Sequence, residues 1–335
     1  MTRFFDGEDI QHLASDEICR AAAQFALDAE TSGLTQLPPR IDVPSGSGFL
    51  RAMPAVLDDV MGLKVMTLVR GTGTRYLVLL YSVEQGELLG VFDADELTRL
   101  RTATFTAVAA ELMVDSPPAK LAVVGSGFEA EGHLRALART WKLESVSVFS
   151  PSAERRAAFA ERMEGEIGVP VQPSGDVAAA VRDADVVVLA TKATTPVLDG
   201  AVLPEGITVL SIGSTRPDLR ELDGATLRRS GTVVVDDPAQ VLAESGDIIE
   251  GIAEGALDPS RLVPVSAVAR DRSLLRREPG RDLLTFKSVG TALQDLALAR
   301  QVLHSAGPSD RGRDLGELTS LKPFAARSLV PGGAR

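Results

Sequence analysis

Gly125, Gly127 and Ala130 are spaced as GxGxxA within the segment LAVVGSGFEA, residues Leu121 to Ala130. This is the dinucleotide-binding pattern with alanine in its third place, and the chemistry it serves is the seating of a pyrophosphate. Gly125 permits a sharp turn, Gly127 lets the backbone approach the phosphates, and Ala130 lets the next helix sit close on the preceding strand. The phosphates would meet free N–H groups at the helix N-terminus. Ser126, Phe128 and Glu129 complete the loop. The same spacing occurs in ordinary tight βα turns. Here Leu121, Ala122, Val123 and Val124 read as a buried parallel strand and Glu129 through Ala138 as a helix, the context a nucleotide site requires. His133 reads as packing on that helix.

The next strand ends at Phe149-Ser150-Pro151-Ser152. NAD sites place Asp or Glu near this point to accept from the ribose 2′-OH; none stands here. Ser150 and Ser152 can bond a 2′-phosphate, and Arg155 or Arg156 can neutralise it. The pattern favours NADP(H) over NAD(H). The alternative for both arginines is solvation of an exposed helix face.

The elements that position these residues fall into two halves. The chain has 335 residues and a net charge of −11, enough length for two domains and a charge that argues against a nucleic-acid partner. A single cysteine, Cys19, forbids an internal disulfide, and His12, His133 and His304 show no metal-ligand spacing, so no metal is expected. No apolar run reaches the length of a membrane span, and MTRFFDGEDI lacks a signal-peptide core; a cytoplasmic protein is expected. Asp9 to Ala29 reads as one amphipathic helix. Strands follow at Gly48–Ala55, Leu63–Val69, Tyr76–Ser82 and Leu88–Phe92, with hairpin spacing that predicts an antiparallel sheet. Asp95 to Leu112 reads as a helix, and Asp115-Ser116-Pro117-Pro118 as a hinge. From Lys120 strands and helices alternate. Strands are predicted at Leu121–Val124, Ser145–Phe149, Val186–Ala190, Thr208–Ile212 and Thr232–Val235, and this rhythm predicts a mostly parallel sheet. Thr291 to Ser305 is a final helix able to return to the first half. The segment after Ala306, including the apolar patch Leu321 to Ala326, reads as a flexible or loosely packed tail.

Nine motifs in order resemble the ornithine cyclodeaminase/mu-crystallin family across residues 1–306. They are PPRIDVP, AMPAVL, LKVMTL, LTRLRTATFTAVAAELM, the glycine loop, ATKATTPVL, IGSTRPDLRELD, VVDDPAQVLAESGDI and FKSVGTALQDLALA. The resemblance implies an α/β protein with a Rossmann-type NAD(P)-binding domain plus an α+β substrate and dimerisation domain. Residues 1–117 and the helix 291–306 would form the second, residues 118–290 the first, and residues 307–335 the tail. A homodimer acting on a small imino or amino acid is implied, with hydride transfer at the α-carbon.

By the same resemblance Arg40, Lys64 and Arg101 fall on substrate-binding positions. A carboxylate calls for charge-assisted donors in a dry site, which these residue types supply. Lys64 lies in the apolar strand Leu63-Lys64-Val65-Met66, so its ammonium is expected to face a pocket. Burial would lower its pKa and suit proton transfer to an imine nitrogen. Lys64 and Arg101 are the candidate catalytic residues. Ala190-Thr191-Lys192, Gly213 and Ser288-Val289-Gly290 are implied to lie near the nicotinamide ribose and carboxamide. Asp236 and Asp237 read as ordering a loop and a helix cap, and Asp295 as a residue of the domain junction.

Two departures from the family's cyclodeaminating members matter. They resemble one another at GGDxPGK, whereas here the stretch is Gly213-Ser214-Thr215-Arg216-Pro217, with Thr215 in the acid's place. A hydroxyl cannot accept a proton as a carboxylate does, so ornithine-type cyclodeamination is disfavoured and the ketimine-reducing mu-crystallin branch is the nearer likeness. Two residues before Met53-Pro54, a glutamate of the ornithine enzymes is replaced by Arg51. That inversion would repel a diamino acid and accept a second anionic group; on the alternate strand face Arg51 would do nothing. Rival readings are a cyclodeaminase-type ammonia-lyase with tightly bound NAD, and a non-catalytic NADPH or small-ligand-binding protein. Arg51→Glu should move turnover from acidic toward basic imino acids. An unchanged preference across acidic, neutral and basic imino acids rejects a role for Arg51 in selection.

Overall fold

A computed structural model describes residues 2–307, 311–318 and 322. Two eight-stranded sheets organise them. The first half runs β1 (Thr2–Phe5), α1 (Gly7–Leu13), α2 (Asp16–Thr31), β2 (Thr35–Gln36), β3 (Ile41–Ser45), β4 (Gly48–Leu57), β5 (Val60–Val69), β6 (Gly73–Ser82), β7 (Leu88–Asp93) and α3 (Ala94–Met113). The helix expected over Asp9–Ala29 is two helices. Asp6 and Asp9 form a capping box on α1, and the Ser15 side chain accepts from the Ile18 N–H to start α2, so the chain turns where the apolar period runs on. Strands β3 to β7 pair antiparallel, as the hairpin spacing predicts. β1, which was not anticipated, adds to β7 in parallel.

The second half runs β8 (Lys120–Val124), α4 (Phe128–Thr140), β9 (Ser145–Phe149), α5 (Ala153–Ile167), β10 (Val171–Pro173), α6 (Val177–Val181), β11 (Val186–Leu189), β12 (Thr208–Ser211), α7 (Gly224–Arg229) and β13 (Ser230–Val235). It continues through α8 (Pro238–Glu244), α9 (Gly246–Ala253), β14 (Leu262–Pro264), α10 (Val265–Arg270), β15 (Leu283–Lys287), α11 (Ala292–Ala306) and β16 (Arg313–Gly316). β8 to β15 make one all-parallel sheet of Rossmann type, ordered β10-β9-β8-β11-β12-β15-β13-β14. β15 corrects the sequence reading: a fully buried strand enters between β12 and β13 where only a motif before a helix was expected. Its successor Ser288–Gly290 is therefore a loop, and α11 begins at Ala292 after Thr291.

α11 does return to the first half. Its apolar face packs on α2 and on the inner face of β4–β6, and Leu293, Leu296, Ala297 and Val302 join one core with Leu57, Val78 and Leu80. The tail expectation needs correction in part, because β16 pairs antiparallel with β1 as an edge strand. The patch Leu321 to Ala326 lies outside the described residues except for Lys322. No helix among the described residues is long and apolar enough to cross a membrane.

Gly125 holds φ +128°, and a Cβ there would stand 2.5 Å from the Ala190 carbonyl oxygen. Gly125→Ala should therefore cost about 1–3 kcal/mol, read as a lowered midpoint in a chemical-denaturation curve. An unchanged midpoint would show that this turn tolerates a side chain.

Candidate active site

A cavity of about 140 Å³ lies where β4 and β5, α3 and the C-terminal ends of the parallel strands meet. A larger cleft of about 590 Å³ among α1–α4 is lined by Arg20, Arg135 and Arg139, but each of these is ion-paired to a carboxylate on the protein. Size therefore does not pick the site; chemistry does.

Strand alternation turns Lys64 inward, opposite Met53 across the β4–β5 ladder. The residue is 2% exposed, and its Nζ lies 3.0 Å from Asp295 Oδ1 and 2.7 Å from Thr98 Oγ1, with the Tyr76 ring centroid at 4.8 Å. Arg101 reaches in from the middle of α3. Its Nε donates to the same Asp295 Oδ1 at 2.9 Å, and its Nη1 to Gln294 Oε1 at 2.6 Å. Asp295, fully buried on α11, thus grips both cations through one oxygen. Burial drives the Lys64 pKa down to about 8; Asp295 resists that shift and Arg101 adds to it. Two cations on one carboxylate leave a net positive charge, the complement of a single small anion. Gly290 is needed beside them: it holds φ +73°, and a Cβ would fall 2.6 Å from Arg101 Nη1.

Arg40 and Arg51 also line the cavity. Arg40 donates through Nη2 to Gln240 Oε1, the Val289 carbonyl and the Gly290 carbonyl, and its Nη1 lies 2.8 Å from Glu244 Oε2. Its donors thus already tie α8 and the β15–α11 loop to the first half. Arg51 faces inward and forms a bidentate pair with Asp42, both contacts at 2.7 Å, while its Nη1 stands 3.9 Å from Glu244 Oε2. Asp42 therefore offsets much of the charge that the sequence offered to a distal anion. Thr215 lines the same cavity.

The glycine loop stands at its edge. Gly127 caps α4 with no side-chain hydrogen bond, and space beyond its α-carbon is open, as a phosphate cradle requires. Ala130 is fully buried against the turn. Ser126 Oγ donates to Ser150 Oγ at 2.9 Å. Ser152 caps α5 by accepting from the Arg155 N–H, and Arg156 folds back on the Ser150 carbonyl, which leaves the exposed Arg155 as the outward cation. Phe128 is half exposed under the Arg99 guanidinium. Ala190, Thr191 and Lys192 follow β11, Gly213 follows β12, and Ser288 and Gly290 follow β15, all on the carboxyl edge of the sheet where ligands of such folds bind. Of these loop residues Glu129, Lys192, Ser288 and Gly290 share the cavity with Lys64 and Arg101, whereas Ser150, Ser152 and Arg155 lie away from it at the end of β9. These features fit a dinucleotide.

Buried carboxylates hold the loops. Asp236 Oδ2 accepts from Ser288 Oγ and from the N–H groups of Val289 and Gly290, and Asp237 caps α8 through the Gln240 N–H. Glu221 was not singled out from sequence. It accepts from Thr191 N–H and Oγ1 on one oxygen and from Ser211 Oγ and Gly213 N–H on the other. Burial raises its pKa, with the buried Lys287 opposing. His133 packs fully buried in α4 as expected. Tyr76 and Thr98 were also missed; both are ordinary helix or strand residues until the fold places them beside Lys64.

A parallel Rossmann-type sheet with a glycine loop, facing a basic chamber built on an antiparallel sheet, defines a two-part dinucleotide-binding protein. Residues 6–309 match the ornithine cyclodeaminase/mu-crystallin family, and the chain belongs to it. It is similar to the ketimine reductase mu-crystallin of Mus musculus, at 28% identity over 90% of this chain and 96% of that one. Thermococcus litoralis Δ1-pyrroline-2-carboxylate reductase in complex with NADH and L-proline superposes with a TM-score of 0.85 and 26% identity, over 93% of this chain and all of the other. An archaeal alanine dehydrogenase dimer with bound NAD gives a TM-score of 0.85 at 27% identity, over 93% of this chain and 98% of the other.

Asp295→Asn removes the charge that holds Lys64 protonated, so the Lys64 pKa should fall further below about 8. Whatever activity depends on that proton should then lose its alkaline limb about one pH unit or more earlier. A pH–kcat/KM profile superposable on wild type would show that Asp295 does not set the charge of Lys64.

Proposed function

We propose that the protein is an NAD(P)H-dependent reductase of a small imino acid, or in reverse an amino-acid dehydrogenase. The observation that carries this reading is the Lys64–Asp295–Arg101 cluster facing a cavity at the edge of the glycine loop. Names of similar proteins agree: pyrroline-2-carboxylate reductase, ketimine reductase and alanine dehydrogenase all describe chemistry at the carbon bearing nitrogen next to a carboxylate. In this reading Arg101 and Lys64 hold the substrate carboxylate, and the buried helix α11 fixes both against drift. A nicotinamide coenzyme held at the glycine loop would supply the hydride that the α-carbon of the imine accepts. Lys64, its pKa lowered to about 8, supplies a proton to the nitrogen, directly or through water. The cavity of about 140 Å³ suits a small acid. Residues 1–117 with 291–306 serve the substrate, and residues 118–290 serve the nucleotide.

The lack of an acid after β9 and the outward Arg155 support NADP(H) over NAD(H). A homodimer is supported by the outer face of β3–β6. Ile41, Val43, Leu50, Val69 and Leu77 are exposed there on one side of the sheet, and the alanine dehydrogenase to which this chain is similar is a dimer.

Stoichiometric NADPH oxidation at 340 nm is expected with Δ1-pyrroline-2-carboxylate or Δ1-piperideine-2-carboxylate, and Lys64→Met should cut kcat/KM by about a hundredfold or more. Ammonia release from ornithine without net change in the coenzyme would favour the lyase reading, and tight NADPH binding with no turnover on any imine would favour a carrier. Arg155→Ser should raise the KM for NADPH about tenfold and leave NADH unchanged. Equal effects on both coenzymes would remove the argument for NADP(H). Light scattering should give twice the 35.3 kDa chain mass, and Leu50→Arg should lower it toward one chain.

A further inference from the structure

A substrate that carries a carboxylate and a protonated nitrogen needs both signs of charge around it. Among the described residues the cavity is lined by five cations, Arg40, Arg51, Lys64, Arg101 and Lys192, and by a single carboxylate, Glu129. Glu129 stands in the first turn of α4, two residues past Gly127. Its side chain is about one-third exposed; one oxygen, Oε2, is closed to solvent and has no hydrogen-bond partner among the described residues. Buried carboxylate oxygens are seldom left so, because each unmade hydrogen bond carries the full desolvation cost.

The neighbouring side chain does not satisfy it. His133 Nδ1 is 3.9 Å from Glu129 Oε2, too far for a hydrogen bond. That nitrogen is instead 2.7 Å from the Glu129 backbone carbonyl, which can only accept. The other ring nitrogen lies 3.1 Å from Thr106 Oγ1, whose own hydroxyl donates to the Thr102 carbonyl at 2.9 Å. Full burial lowers the His133 pKa, which favours the neutral ring. Among the described residues no lysine or arginine pairs with Glu129, although the same cavity holds Arg101 and Lys64, both bound to Asp295.

We propose that Glu129 recognises the nitrogen of the substrate, its carboxylate accepting an N–H from the positively charged imine or amine held in the cavity. The inference rests on the imino-acid reading above and deepens it. Arg101 and Lys64 take the carboxylate of the ligand; Glu129 takes its cation, and so sets apart an amino or imino acid from a plain organic acid of the same shape. The ribose hydroxyls of the nucleotide are the other donors that could reach this loop, and the test separates the two.

The full-length chain with NADPH bound is titrated with L-proline and with cyclopentanecarboxylate, a carbon isostere that keeps the carboxylate and lacks the nitrogen. Wild type should bind L-proline about tenfold or more tightly, the range for a hydrogen bond to a charged group. Glu129→Gln should lose most of that preference while its affinity for cyclopentanecarboxylate and for NADPH stays within about twofold. Glu129→Asp keeps the charge but withdraws the oxygen, and should weaken L-proline selectively by a smaller factor; it carries the test if the glutamine variant does not fold. A glutamine or aspartate variant that retains the full L-proline preference overturns the proposal, as does a variant that loses NADPH affinity with the preference intact, which would assign Glu129 to the nucleotide. If neither acid binds the NADPH-loaded wild type, the imino-acid reading itself fails and this inference falls with it.

Discussion

One buried oxygen atom, Asp295 Oδ1, holds Lys64 and Arg101 together, and the site depends on it. The two cations come from different elements, β5 and α3, and would repel each other in a dry cavity. A shared carboxylate turns that repulsion into a fixed geometry. Buried ion pairs are poor sources of net stability, because desolvation consumes most of the Coulomb gain. The triad is better understood as a fixture that holds donors in place before a ligand arrives. Its stability comes from elsewhere, from the apolar face of α11 packed against α2 and the inner sheet.

The second constraint is the carboxyl edge of the parallel sheet. Loops after β11, β12 and β15 converge there, and each is pinned by a buried acid: Glu221 for the first two, Asp236 for the third. These acids fix backbone N–H groups rather than touch the cavity, so the edge keeps its shape without filling its own pocket. Arg40 adds a cross-link from the first half to α8 and the β15–α11 loop.

Much of this was legible in the sequence. The glycine loop announced itself because small residues, an apolar strand and a helix are all local signals. Lys64 stood out as a charge in an apolar strand, and its burial and lowered pKa follow from that. β15 did not stand out. Its five residues carry no period, and although Pro279-Gly280 marks a turn ahead of them, a buried strand that short is indistinguishable from a helix entry until its neighbours in the sheet are known. The split between α1 and α2 was hidden because Ser15 acts through one hydrogen bond while the apolar spacing continues past it. Asp295 was legible as a residue of the domain junction but not as the partner of Lys64 and Arg101; these lie 231 and 194 residues away in sequence, and no local pattern can join them.

The order in which the chain leaves the ribosome gives this topology a further meaning. β15 sits between β12 and β13, both made earlier, and α11 fills the core beneath strands made earlier still. Until residues 283–306 emerge, the parallel sheet has a gap in its middle and the antiparallel sheet has a bare apolar face. Neither half can close first and wait for the other. Non-local closure of this kind slows folding and leaves sticky surface exposed during synthesis. The nascent chain should therefore depend on chaperones until its last segment is released, and both halves should then gain their final form together.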